Sequence, residues 1–312
     1  MKKLVISLIS VTAVLFTACN KDEVEPATDY ANPDFNVTVE SVLTTDAAIE
    51  DAVESTDYEV DLFTGTTETV DELSAIAMTD DQLKSGTTFR EKLRDRYRSG
   101  NLPDVEIDWT DGDFPRTVTL DYGEELELNN GCILSGMIEI DVSAPMNTEG
   151  AERTVSFTDF SADSLKINGT IEKTVISNTD GREVLIVRDL VVTLSDGTEV
   201  ECYAEITRKW EEGMSAPFYF KDDVMTITGS GTCTDSDGNE YQREITQPLQ
   251  KAGDCRFIVS GEVEYSANGE TFGTVDYGDG TCDNTGTFKW ENGEKEFVIG
   301  KRIRERIANR NQ

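Results

Sequence analysis

Three aspartates, Asp276, Asp279 and Asp283, lie within eight residues around Gly278 and Gly280. A hard cation such as Ca²⁺ is held by carboxylate oxygens of that kind. A second string, Asp235-Ser-Asp237-Gly-Asn239-Glu240, begins like an EF-hand loop, but its glycine stands fourth where that loop needs it sixth. Asp and Gly are equally the residues of hairpin turns, so turns compete with metal at both places. The chain contains no histidine. Ser-His-Asp and Cys-His nucleophiles, histidine bases and the usual zinc, copper and non-haem iron ligand sets therefore fall away. Carboxylate chemistry survives: a glycan-active enzyme would set two acids about 5 to 9.5 Å apart in a cleft, and 62 acidic residues leave that pairing open. No cofactor is implied.

The N-terminus carries different chemistry. Lys2 and Lys3 precede a 15-residue stretch, Leu4 to Ala18, interrupted only by Ser and Thr. That is short of the roughly 20 apolar residues of a spanning helix and fits a secretory signal over residues 1–18. Phe16-Thr17-Ala18-Cys19 resembles the bacterial lipobox, with Phe16 where that family has Leu, Val or Ile. The resemblance implies lipidation of Cys19, with several acyl chains making the anchor stable. Lys21-Asp22-Glu23 resembles the lysine-then-acid export signal of Bacteroidetes-type surface lipoproteins. It implies an outer-membrane protein facing the cell exterior, touching the membrane through its N-terminal lipid. Asp163-Ser164-Leu165 matches a three-residue O-glycosylation pattern of the same group.

With Cys19 set aside, Cys132, Cys202, Cys233, Cys255 and Cys282 remain. Export permits disulfides, and an odd number leaves at least one thiol unpaired. The preferred bridge joins Cys282 to Cys132 or to Cys255.

The chain has 28 basic and 62 acidic residues, a net charge of −34. Such a field repels nucleic acid and anionic headgroups. Residues 19–45 carry Pro26, Pro33 and many polar residues, and are expected to form a flexible tether. From 46 to 104 the pattern is weakly helical. Ile49 and Val53 are four apart, and Leu73, Ile76 and Ala77 make a short stripe. Thr88 and Glu91 have capping-box spacing ahead of Phe89, Leu93 and Tyr97, and Gly100 follows. Residues 301–312 form a basic tail.

From 105 to 300 the period is two. The even positions from Cys132 to Val142 are apolar or small, Val200, Cys202, Ala204, Ile206 and Trp210 share one face, and Cys255 to Tyr265 repeats the scheme. Dipeptides at Asn168-Gly169, Asp180-Gly181, Asp196-Gly197, Asp237-Gly238, Asn268-Gly269, Asp279-Gly280 and Asn292-Gly293 predict tight turns. The fold class is therefore mainly β: a large antiparallel meander of long strands, curled or folded into a sandwich or open barrel, with a short helical N-terminal region. An internal echo relates Thr119-Leu-Asp121-Tyr122-Gly123, with Cys132 and Gly136, to Thr274-Val-Asp276-Tyr277-Gly278, with Cys282 and Gly286. Residues 255–265 and the string from Asp276 to Asn284 resemble a group of uncharacterised β-rich Bacteroidetes-type lipoproteins, which supports the fold and the location.

The expectation is a lipid-anchored binding or structural module with a glycan, peptide or protein partner. A concave sheet face would suit an extended ligand. An acyl-chain carrier needs that face apolar, whereas a glycan binder would expose Trp109, Trp210 or Trp290. A carboxylate-based glycan-active enzyme and a non-catalytic subunit of an outer-membrane complex are the alternatives.

Overall fold

The structure, a computed structural model, describes residues 39–64, 93, 96, 97, 102–109, 114–212, 223–253, 255 and 257–298. The signal, Cys19, the stripe at Leu73, the capping box at Thr88 and the tail 301–312 lie outside them. One helix, α1 (Val39–Thr64), precedes the strands β1 (Asp104–Trp109), β2 (Arg116–Asp121), β3 (Leu126–Glu127), β4 (Ile133–Val142) and β5 (Glu152–Ala162). Then come β6 (Leu165–Ser177), β7 (Glu183–Thr193), β8 (Glu199–Glu212), β9 (Val224–Asp235) and β10 (Glu240–Ala252). The last four are β11 (Ile258–Ala267), β12 (Glu270–Asp279), β13 (Thr285–Trp290) and β14 (Gly293–Val298).

All fourteen strands join one antiparallel sheet in sequential order, except that β3 sits beside β4, where β2 has ended. Alternation decides which face is dry. On β7, Val184, Ile186, Leu190 and Val192 are buried, and on β6 Leu165, Ile167, Ile171 and Val175 are buried. The opposite face is polar, as the Thr226, Thr228, Ser230, Thr232 and Thr234 ladder of β9 illustrates. A sheet with one solvated face needs a single covering layer. Here α1 is that layer, and Ile49, Val53, Val60 and Phe63 join the core beneath it.

The sheet does not curl into a sandwich or an open barrel: β1 pairs only with β2 and β14 only with β13, so it is neither closed nor strongly curled. The physical reason is coverage. From Asp46 to Thr64 a helix rises about 27 Å, and the six spacings from β4 to β10 measure about 29 Å. One helix laid across the strands thus shields the middle of the sheet.

Two other expectations change. The helix begins at Val39, inside the stretch assigned to the tether, and Val42 is already buried. Asn168-Gly169 is not a turn but lies within β6. Gly169 has φ +107°, and a Cβ there would sit 2.0 Å from the Asp189 carbonyl oxygen; the dipeptide marks a close strand approach. The β5–β6 hairpin turns instead at Asp163-Ser164, where Asp163 has φ 56°. Asn268-Gly269 does make the tight turn between β11 and β12, both residues having positive φ.

The internal echo is geometric. Asp121 Oδ1 accepts the Gly123 N–H at 2.8 Å and Asp276 Oδ1 accepts the Gly278 N–H at 2.9 Å. Asp121 stands opposite Met137, directly after Gly136, and Asp276 stands opposite Thr287, directly after Gly286.

Candidate functional site

On α1 the acids Asp46, Glu50, Glu54, Asp57 and Asp61 recur at steps of four, four, three and four. That spacing places them on one face of the helix. The sheet answers with cations on its dry face. Arg153 on β5 stands directly opposite Lys173 on β6, and Arg188 and Arg243 occupy β7 and β10. Arg243 Nη1 lies 3.3 Å from Asp46, and its Nη2 bonds Glu50, which Arg188 also reaches at 2.8 Å. Asp57 pairs with Lys173 at 2.9 Å and with Arg208 at 3.2 Å. Asp61 pairs with Arg153 at 2.6 Å, and Lys251 bonds Glu54. The helix is riveted strand by strand.

The other flank of α1 carries Glu59, which is wholly buried. Its carboxylate accepts from Arg96 Nε at 2.5 Å, from Tyr122 Oη at 3.1 Å and from Tyr97 Oη. At the C-terminal end, Arg116 donates to the Thr64 carbonyl at 3.1 Å and Arg153 to its hydroxyl at 2.9 Å. Arginine near the last carbonyls also suits the helix dipole.

Burial would raise the Glu50 pKa, but Arg188 and Arg243 outweigh it and hold it at about 2. The same contest, with Lys173 and Arg208 against burial, keeps Asp57 well below the carboxylate range. Asp61, although half-exposed, is lowered by Arg153 and Lys173, which outweigh its desolvation. Asp46 moves the opposite way, because burial, aided by Glu50, outweighs Arg243 and Tyr265. Burial also lowers Lys173 against the pull of Asp57 and Asp61. Tyr97 and Tyr122 are raised by burial and by Glu59, so both stay protonated donors. These charges satisfy one another beneath the helix, and the acids at 46 and 50 are consumed by one shared arginine. The cavity beside them, lined by Asp46, Ile49, Glu50, Val53 and the Cys202–Cys233 bridge, is about 20 Å³, far below the few hundred Å³ of a ligand site.

The aspartates proposed for calcium serve their own turns. Asp279 Oδ1 accepts from the Thr281 N–H and hydroxyl, Asp283 Oδ1 does the same for Thr285, and Asp276 Oδ2 binds Lys289 at 2.7 Å. Asp235 Oδ1 likewise accepts from the Asp237 and Asn239 N–H groups. Among the described residues no three His, Cys, Asp or Glu side chains converge as an ion would require.

Cys255 and Cys282 are joined, which pins the loop after β10 to the loop after β12, and Cys132 is buried and takes part in neither disulfide. The bridge between Cys202 on β8 and its direct cross-strand partner Cys233 on β9 is one that strand periodicity alone does not pair. Ser164 is exposed at the β5–β6 hairpin tip.

Of the three tryptophans, Trp109 belongs to β1 and its side chain lies outside the described residues. Trp210 is half-buried with the Arg182 guanidinium 4.4 Å over its ring. Trp290 borders an open groove of about 450 Å³, where Thr271, Phe272 and Thr274 of β12 face Lys289, Trp290 and Glu291. Aromatic and polar residues line this open groove together.

The acidic stripe was legible as a helical spacing of like charges. Its six cationic partners were not, since they are scattered along five strands. Among the described residues no helix is long and apolar enough to cross a membrane, which says nothing of strands. No family model, curated protein or solved structure matches the chain.

Proposed function

We propose that the chain is a lipid-anchored outer-membrane protein, held through Cys19 and facing the cell exterior, that acts as a non-catalytic binding module through the fork between β12 and β13. One observation carries the binding part: α1 occupies the dry face of the sheet through its ion pairs, whereas the fork is open and amphipathic. An acyl-chain carrier would need the face that α1 fills. The acids at 46 and 50 are bound to Arg243. Two disulfides suit an exported chain.

Labelled palmitate supplied to expressing cells should enter the wild type and not Cys19→Ser, and protease added to intact cells should remove the protein. A Cys19→Ser chain that keeps both label and membrane partitioning overturns the anchor. Protection of the wild type from protease overturns the outward orientation.

A further inference from the structure

β1 is an edge whose two faces differ sharply. It pairs only with β2, so among the described residues one row of its backbone N–H and C=O groups has no strand partner. Such an edge is a template for a further strand. Asp104, Glu106 and Asp108 stand opposite Asp121, Thr119 and Thr117 on the solvated face, and all three acids of β1 are exposed. Val105 and Ile107 stand opposite Leu120 and Val118 on the dry face. Leu120 and Val118 are completely covered, whereas Val105 and Ile107 are only half-buried.

Charge selects what can pair there. On the same face β2 and β4 add Asp121, Glu139 and Asp141 and no lysine or arginine. No cation among the described residues pairs with Asp104, Glu106 or Asp108. Like charges directly opposite one another destabilise a strand pair. A second β1 would therefore set acid against acid, and β14 would bring Glu294 and Glu296 on its solvated face. The edge instead suits an extended segment with cations at every second position. Residues 301–307, Lys-Arg-Ile-Arg-Glu-Arg-Ile, have that order, with Arg302, Arg304 and Arg306 alternating with Ile303, Glu305 and Ile307. With Arg304 opposite Glu106, Arg302 and Arg306 meet Asp104 and Asp108 in either strand direction. Ile303 then falls beside Val105 or Ile107, and Glu305 is the single mismatch, at a margin that water reaches.

The donor must be another molecule. β14 ends at Val298 and lies twelve strand spacings from β1, about 58 Å. Residues 299–304 reach about 20 Å when fully extended. We infer that residues 301–307 of a second copy add to the free edge of β1 as a further strand, so that copies associate head to tail. In such an addition main-chain hydrogen bonds supply the affinity and alternate side chains the specificity. The contact uses two different surfaces of each copy, and it closes as a ring or runs on as a filament. The inference goes beyond the binding-module reading and does not depend on the groove between β12 and β13.

The test titrates the detergent-solubilised full chain into a fluorescein-labelled peptide of residues 299–309 at physiological salt, read by anisotropy. The peptide should bind saturably, and one of the same composition with its alternation scrambled should bind about tenfold more weakly or not at all. Glu106→Arg, at an exposed position, should weaken binding about tenfold, and a peptide carrying Arg304→Glu should recover it on that variant. Glu201→Arg, on the same face but on the distant β8, should bind as the wild type does. In sedimentation the full chain should form concentration-dependent oligomers, and a chain truncated after Gly300 should remain monomeric. Equal binding of the scrambled peptide reduces the contact to net charge and overturns the inference, as does indifference to Glu106→Arg. Oligomers that survive truncation, or a full chain that stays monomeric above the Kd of the peptide, overturn the second copy as donor. Tighter binding of an unrelated alternating lysine–valine peptide than of residues 299–309 gives the edge to a strand of another protein and overturns it too.

Discussion

Lys173 on β6 and Asp57 on α1 meet at 2.9 Å with only 5% and 6% of their side chains exposed. They are separated by more than a hundred residues of chain, and their contact fixes the helix over the centre of the sheet. Breaking a buried pair by removing one partner costs about 3–5 kcal/mol, because the other charge is left uncompensated. Asp57→Ala, which strands both Lys173 and Arg208, should lower the unfolding free energy read from urea denaturation by that order. The double variant Asp57→Leu with Lys173→Met should recover most of the loss. An Asp57→Ala chain as stable as the wild type would show that the pair does not hold the helix.

Acid should release the helix over a defined range. Glu50, Asp57 and Asp61 have folded pKa values below their unfolded ones, so the stability they contribute is complete above about pH 4.5 and declines as pH falls toward about 2. Asp46 is raised and contributes with the opposite sign, its effect diminishing stability as pH rises through its range. Three depressed groups against one raised group predict net acid destabilisation. Thermal melts across pH 7 to 2 should show a plateau and then a fall beginning between about pH 4 and 5.

Gly169→Ala tests the close approach of β6 to β7. The residue would carry both the positive φ and a collision with the Asp189 carbonyl. A loss of about 1–3 kcal/mol is expected, measured by chemical denaturation. Gly197→Ala, at a turn with open space around it, is expected to lose less.

Thiol chemistry should follow the pairing. In the intact protein Cys132 is shielded from alkylation, and in denaturant it should react while the four bridged cysteines do not. Replacing Cys255 and Cys282 together by Ala should cost about 3–4 kcal/mol in the chain-entropy account, for a loop of 27 residues. Peptide mapping and melting temperature read both outcomes.

Calcium added to an EGTA-treated sample should leave the melting temperature unmoved, since Asp276, Asp279 and Asp283 already hold their own turn donors. A rise of several degrees would reveal ligands these hydrogen bonds do not account for.

Strand identity was legible because alternation is local: Leu134, Ile138, Ile140 and Val142 can be assigned to one face from sequence alone, and all four are buried. The turn at Asn268-Gly269 could be assigned for the same reason. Asn168-Gly169 misled because the same dipeptide satisfies a turn or a crowded strand position, and only the neighbouring strand distinguishes them. The fork was partly legible, with Trp290 marked as an aromatic but nothing in its surroundings showing that the ladder ends beside it.

The sequence by itself determined the meander, through period-two patterning and turn residues, and raised the prospect of a lipid anchor at Cys19, which lies outside the described residues. Only the tertiary structure decided that the sheet stays open. A long apolar face must be covered, and neither periodicity nor strand length says whether another part of the sheet or a helix will cover it. Here the cover is α1, chosen by contacts such as Arg188 with Glu50 and Arg243 with Asp46, which span 138 and 197 residues of chain and have no signature in any local window.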